Sequence, residues 1–359
     1  MRVINVDVTI VEVPQIAPIA PYRSHVRSSS TTMSAIVRVE TDAGLEGWGE
    51  HNVNFLPEIS GARMQADARA WLVGRDPTNL QAYHRDCRLE TRLKSGIELA
   101  LWDIKGKALG QPVYRLLGDY SPDITTYCTF GMLEYSRDDL GELASELVAA
   151  GWDKLKIKVC IEDSKNIPED AARVRAVREG AGDAAEIMMD ANHLFSPMEA
   201  LELARMCEPY NVKWFEEPLC GNDVENLKEL RASTTIPIAA GQQEGMRWRH
   251  RDLIAGGAVD IAQPDVVFVG GYTEGIKVAH LAQAFDVPVA THGWPHLNMH
   301  LAGAISNAWR LEYHLGPAGL ADHLFTNAPK PENGILRIPD RPGLGLEFNE
   351  AGVRPYEDS

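Results

Sequence analysis

Two spacings of apolar residues divide the chain. Near the start, β-branched runs alternate with polar positions, as in Val3-Ile4-Asn5-Val6-Asp7-Val8 and Ser34-Ala35-Ile36-Val37-Arg38-Val39. A period of two places one face of a strand against a core. The second run ends at Asp42-Ala43-Gly44, a hairpin turn signal, before Leu45-Glu46-Gly47-Trp48-Gly49-Glu50. From Lys94 to Leu109 the period changes. Ile97, Ala100, Leu101, Ile104 and Ala108 fall at helical spacing, and Gly110 and Pro112 stop the helix. Strands followed by helices predict an α+β module over residues 1–122.

Beyond residue 122 short apolar runs alternate with amphipathic stretches. The strand candidates are Thr125–Phe130, Leu155–Val159, Glu186–Met189, Val212–Phe215, Ile236–Ala240, Asp260–Ala262, Pro288–Ala290 and Trp309–Leu311. Helical spacing falls between them, for instance over Asp138–Ala150, Ala171–Arg178 and Gly275–Phe285. This rhythm predicts an α/β architecture, a closed (β/α) barrel over residues 123–320. No Gly-x-Gly-x-x-Gly follows a strand, which counts against an open nucleotide-binding sheet. Residues 321–359 are expected to pack back on the first module.

Composition narrows the partners. The chain has 359 residues, 45% of them hydrophobic and 24% charged, the balance of a globular protein. Its formal net charge of -16 repels phosphate backbones and anionic bilayers, so neither nucleic acid nor a membrane is an expected partner. An anionic substrate therefore needs a locally positive site. Five scattered cysteines without a Cys-x-x-Cys pair fit free thiols in a reducing compartment. With no apolar leader at the amino terminus, the expected location is the cytoplasm.

In such barrels chemistry sits at the carboxyl ends of the strands. Those ends carry Lys156 and Lys158, Asp190 and Asn192, Glu216, Gln242 and Glu244, Asp265, His292 and Glu312. Singly, each has an ordinary reading. A lysine pair is usually a solvated face, an acid before a helix usually a cap, a histidine usually packed. Together they differ. Lysines alternating along an inner barrel strand would carry ammonium groups into the interior, where an unpaired charge is costly. Acids on consecutive strands can converge on one hard cation. A carboxylate on the preceding strand can orient His292 and raise its basicity. His296 and His300 add a zinc-hydrolase reading, but the spacing is not His-Glu-x-x-His.

These positions, in this order, resemble the enolase superfamily and its mandelate racemase subgroup. The likeness covers almost the whole chain. Gly74-Arg75-Asp76-Pro77, the stretch from Gly96 to Lys107 and Pro342-Gly343-Leu344-Gly345 resemble the family's capping and closing segments. Lys156-Ile157-Lys158, Asp190-Ala191-Asn192, Trp214-Phe215-Glu216-Glu217-Pro218, Gln263-Pro264-Asp265 with His292, and Leu311-Glu312-Tyr313 resemble its barrel motifs. One position departs. After Ile236-Pro237-Ile238-Ala239-Ala240-Gly241 the family has an acidic metal ligand, and this chain has Gln242.

The resemblance implies a (β/α)7β barrel with an amino-terminal capping domain. It also implies Mg²⁺ held by Asp190, Glu216 and Gln242, with Glu244 the alternative to Gln242. Lys158 and His292 would be the acid/base pair, with Asp265 orienting His292. Lys156 would lower the pKa of Lys158 and meet the substrate carboxylate, while a protonated Glu312 would donate to that carboxylate. Sites of this superfamily pair a Lys or His base with Mg²⁺ to remove a proton α to a carboxylate. The expected reaction is dehydration of an acid sugar to a 2-keto-3-deoxy acid through an enediolate. Racemisation, epimerisation or lactone cycloisomerisation, and a non-catalytic binding protein, are the alternatives. Asn192 and Trp294 are expected at the substrate, together with Tyr22, Arg23 and His25 of a lid over Ile16–Ser30. By the same resemblance a homo-oligomer is expected.

Overall fold

The computed structural model describes residues 1–14, 22–23, 28–29, 31–53, 61–164 and 166–351. A three-stranded antiparallel sheet comes first, formed by β1 (Val3–Pro14), β4 (Thr31–Thr41) and β5 (Glu46–Asn52). Between β1 and β4 lies a short antiparallel pair, β2 (Tyr22–Arg23) and β3 (Ser28–Ser29). Val6 pairs with Val39 and Val8 with Val37, so the alternation read in both runs falls on one buried face. Helices α1 (Gly61–Leu72), α2 (Leu80–Asp86), α3 (Thr91–Leu109) and α4 (Val113–Leu117) follow. The long helix begins three residues before its apolar periodicity, because the Glu90 carboxylate accepts from the Arg92 and Leu93 amides and caps it.

Eight parallel strands then close a ring. They are β6 (Asp123–Gly131), β7 (Lys154–Lys158), β8 (Glu186–Asp190), β9 (Val212–Glu216), β10 (Ile238–Ala240), β11 (Ile261–Ala262), β12 (Val289–Thr291) and β13 (Ala308–His314). Each pairs with the next, and β13 pairs with β6, Leu311 against Thr126. The connecting helices are α5 (Arg137–Ala149), α6 (Ile167–Ala181), α7 (Pro197–Cys207), α8 (Val224–Ser233), α9 (Met246–Ala255), α10 (Tyr272–Ala284) and α11 (Pro295–Ala304), with α12 (Leu315–Leu324) after the last strand. The sequence pattern therefore found every barrel strand. It did not anticipate β14 (Ile335–Arg337), which runs antiparallel along β6.

Inside the barrel the strands stack side chains in layers. Tyr127, Met188, Trp214, Ala239, Ile261 and Ala290 form one buried apolar layer. Side chains two residues further along a strand point the same way. The next layer toward the carboxyl ends therefore carries Thr129, Asp190, Glu216, Gly241, Gln263 and His292. An apolar floor thus supports a polar ring by the period of the strand alone.

The tail returns to the first sheet. Phe348 stacks on Trp48 at 4.0 Å, and the Leu344 amide donates to Asp103 Oδ1 at 2.8 Å. No helix among the described residues is long and apolar enough to cross a membrane.

A candidate active site at the carboxyl ends of the barrel strands

The ring begins with two lysines. Lys156 and Lys158 are buried on β7, both pointing inward as the alternation requires. Lys158 donates to Asp190 Oδ2 on the neighbouring strand, where the two residues are register partners. Lys156 donates to Glu216 and lies 2.9 Å from Glu312 Oε1. Burial alone would strip the proton from Lys156. Glu216, Glu312 and Asp190 reverse this and hold its pKa above the ordinary lysine value.

Asp190 and Glu216 face each other across paired strands. Burial raises the Asp190 pKa, but Lys158 and Lys156 outweigh it and lower it to about 2. Burial, with Asp190 and Glu312 nearby, pushes Glu216 up to about 7 against the pull of Lys156. One oxygen of Glu216 is committed: Oε2 accepts from Gln263 Nε2 at 2.7 Å and Trp214 Nε1 at 3.0 Å. Asn192 supports Asp190, its backbone and side-chain amides donating to Oδ1 at 2.9 and 3.1 Å.

Gln242 follows β10 and is buried, with no hydrogen-bond partner for either side-chain polar atom. Its backbone is fixed from β9. Glu217 Oε1 accepts from the Gly241 amide at 2.7 Å and the Gln242 amide at 2.9 Å, while Glu217 Oε2 lies 3.0 Å from His193 Nδ1. Glu244 is engaged elsewhere, by Asn222 Nδ2 at 3.0 Å and Arg249 at 3.5 Å. Of the two side chains expected after β10, Gln242 is the one whose polar atoms have no hydrogen-bond partner. Among the described residues no three acids, histidines or cysteines form a ready metal cluster. Two carboxylates and an amide oxygen lacking a partner still suit a hard, oxygen-seeking cation such as Mg²⁺. The lysine ammonium groups hold those carboxylate oxygens now and would have to yield them.

His292 follows β12 and stands across the eight-strand ring from Asp190 on β8. Its Nδ1 meets Asp265 Oδ2 at 2.9 Å, and Asn298 holds the other Asp265 oxygen at 2.8 Å. Burial opposes a charge on His292, but Glu312 and Asp265 prevail and raise its pKa.

Glu312 closes the ring on β13. Burial favours the neutral form, yet Lys156, His292 and His314 outweigh it and hold the carboxyl well below its ordinary range. It accepts from the Gly293 amide at 2.7 Å and from Thr129. Three carboxylates, Asp190, Glu216 and Glu312, surround the Lys156 charge.

The histidines after His292 are structural. His296 Nε2 meets Glu50 at 2.8 Å, and His300 bridges the Tyr114 amide and Leu344 carbonyl. That disposes of a zinc cluster built on them. Trp294 stands by His292 at 6.3 Å between ring centroids, in a left-handed backbone conformation, φ 31°. Its indole N–H donates to Glu50 Oε1 at 2.7 Å. Of the expected lid, Tyr22 and Arg23 lie in the short β2 strand, and His25 and Arg27 lie outside the described residues. Sequence reasoning passed over Glu50, Thr129 and Asn298 as functional positions. Gln263 and Glu217 lay inside recognised motifs without being assigned a task.

Residues 5–118 match the mandelate racemase/muconate lactonizing enzyme amino-terminal domain, and residues 139–352 the enolase carboxyl-terminal domain-like family. The chain is 34% identical to arabinonate dehydratase from Saccharolobus solfataricus over 73% of its own length and 71% of that protein's. It is 33% identical to D-galactonate dehydratase from Ralstonia pickettii, covering 88% and 89%. D-galactarolactone cycloisomerase from Agrobacterium fabrum is 30% identical, covering 94% of each. A Streptomyces coelicolor racemase solved with bound magnesium superposes with a TM-score of 0.86 at 26% identity, covering 96% and 97%. L-Talarate dehydratase from Polaromonas, solved with Mg and L-glucarate, gives 0.83 at 29%, covering 98% and 97%.

Proposed function

Because the chain belongs to the mandelate racemase/muconate lactonizing enzyme family of the enolase superfamily, we propose that it is a magnesium-dependent acid-sugar dehydratase. The observation that carries this reading is the placement of Lys158 and the Asp265-held His292 around one buried carboxylate-and-amide donor set. A protein that only bound its ligand would need no such pair.

Asp190, Glu216 and Gln242 would hold the cation, which when bound would offset the negative charge that α-proton removal builds on the substrate carboxylate. Lys158 would take that proton as the neutral amine, having left Asp190 and given up its own proton to solvent. His292 Nε2 points away from the Asp265 contact at Nδ1, and the raised pKa keeps a proton there to give to a departing β-hydroxyl. Lys156 serves as the fixed positive charge for the substrate carboxylate. Glu312 and Thr129 hold the inner wall of the ring and Glu312 keeps His292 charged. Loss of the hydroxyl leaves an enol that becomes a 2-keto-3-deoxy acid. The likeness to a cycloisomerase supports a second outcome from the same pair, in which the acid protonates a lactone oxygen instead.

The test is a panel of aldonic and aldaric acids with Mg²⁺, assayed for 2-keto-3-deoxy products. Product from at least one stereoisomer is expected. Lys158→Ala and His292→Asn should each lower kcat by about 10²–10⁴-fold. A folded, magnesium-binding protein that converts none of the panel would reject the dehydratase reading.

A further inference from the structure

Two consecutive residues after the acid/base histidine have left-handed backbones, Gly293 at φ 50° and Trp294 at φ 31°. For tryptophan this conformation is unfavourable, so neighbouring contacts must hold it. They grip the turn from two sides. From the ring, Glu312 Oε2 accepts from the Gly293 amide at 2.7 Å. From α11, Asn298 Nδ2 donates to the His292 carbonyl at 2.9 Å and to the Gly293 carbonyl at 3.2 Å. Asn298 is fully buried in the first turn of that helix. Asparagine favours helix caps over helical positions, so its place inside the helix calls for a reason.

The same side chain reaches the neighbouring strand end. Its Nδ2 also donates to Asp265 Oδ1 at 2.8 Å, and its Oδ1 accepts from the Val266 amide at 3.0 Å. A donor on one side and three acceptors on the other fix which way the amide faces. Asp265 Oδ1 further accepts from the Val267 amide at 2.9 Å, which leaves Oδ2 for His292 Nδ1, also at 2.9 Å. The imidazole has a second carboxylate on its other side, Glu312 Oε2 at 3.9 Å from Nε2. With Lys156, these two acids are the charged groups that act on the ring. A ring drawn to Glu312 would turn its substrate-facing nitrogen into the wall. Asn298 holds both ends of the contact that prevents this, the Asp265 carboxylate and the His292 backbone.

Resting on the acid/base role of His292 in the dehydratase reading, we propose that Asn298 is a positioning residue for that histidine. Its one amide joins Asp265 to the His292–Gly293 turn, so that the imidazole keeps Nδ1 on Asp265 and Nε2 toward the substrate. The hydrogen bond at one ring nitrogen sets the tautomer, and with it what the other nitrogen can do. A neutral amide suits the task, since it donates to Asp265 without adding a second cation that would compete with His292 for the carboxylate. Asn298 acts through Asp265 and the turn rather than on the substrate.

The experiment follows the His292 ring by NMR in the magnesium-loaded full chain carrying isotope-labelled histidine. It is run on the wild type, Asn298→Ala and Asn298→Ser, with thermal midpoints to show that each is folded. Serine removes the same contacts but can bond a carbonyl of its own helix, which keeps a second, milder variant in hand. The ring signals are assigned by their loss in His292→Asn. The wild type should show an Nδ1–H proton protected from water, and both variants should lose it to exchange. With an acid sugar that the wild type converts, kcat should fall about 10–100-fold in the variants while KM stays within about 3-fold. A wild-type ring with its proton on Nε2 alone overturns the proposal, and so does a folded variant that keeps the protected Nδ1–H. In either case, keto product would leave the dehydratase reading standing. A ring released in the variants, with no keto product from any acid in the wild type, would uphold the positioning role and reject the reaction.

Discussion

At the scale of single residues, the donor set differs from an all-acid one by the charge at Gln242. Its amide oxygen can ligate a cation but adds no negative charge. The protein already holds its two carboxylates with lysines, so any cation competes with two ammonium groups for the same oxygens. Gln242→Glu should therefore tighten Mg²⁺ binding by at least about 10-fold, read by calorimetry without substrate. An unchanged affinity would show that residue 242 is not a ligand. Residue types were readable from the sequence at this scale, but protonation was not. Whether Glu312 is neutral depends on Lys156 lying 2.9 Å away, and that contact joins the first and last quarters of the barrel.

At the scale of elements, two joints decide whether the site is formed. In the first, β5 lies against α3 through Gly47 and Gly49. Gly49→Ala must push the strand off the helix, since its Cβ would meet the Gly96 carbonyl rather than a movable side-chain end. A loss of about 1–3 kcal/mol in urea unfolding is expected. In the second, Glu50 of β5 accepts from Trp294 and meets His296, 244 and 246 residues away in sequence. Removing it leaves two buried polar groups unpaired beside a strained backbone. Glu50→Ala should thus lower kcat by about 10–100-fold, with a smaller change in KM and about 2 kcal/mol of lost stability. Unaltered kinetics would mean that Trp294 needs no such anchor. The pattern of apolar positions disclosed β5 and α3 as elements. It placed the start of α3 at Lys94 rather than Thr91, because a charged first turn carries no hydrophobic period. Likewise β10 begins at Ile238 and not Ile236, the interruption falling at Pro237.

At the scale of the whole molecule, the fold keeps several histidines neutral in its interior. His314 and His51 are pushed down to about 3 by burial, His250 and His300 to about 4. An unfolded histidine takes up its proton near pH 6.5, whereas these do so only well below it. Between those limits the unfolded chain binds more protons at these four positions, so their share of the stability is full above about pH 6.5 and falls as the pH drops toward 4. His314→Asn, which retains an acceptor for the helix cap it makes with Gly316, should reduce that loss by about 2 kcal/mol. Equal pH slopes for the two proteins would contradict the assignment. The closed barrel and its inward chemistry were legible at this scale because the strand period alone sets one layer upon another. The antiparallel β14 and the Phe348 contact were not, since both join segments hundreds of residues apart through ordinary apolar side chains.

Every functional role assigned to this ring depends on removal of a proton α to a carboxylate by the Lys158 and His292 pair. The most direct test is exchange of that proton with D₂O, followed by NMR on an acid sugar that binds the magnesium-loaded protein. The wild type should exchange the α-proton of the substrate for deuterium, or release it on turnover with deuterium entering at C3 of the 2-keto-3-deoxy product, and Lys158→Ala combined with His292→Asn should abolish both while the double variant still binds. Product without deuterium at C3, or exchange undiminished in the double variant, would contradict the mechanism.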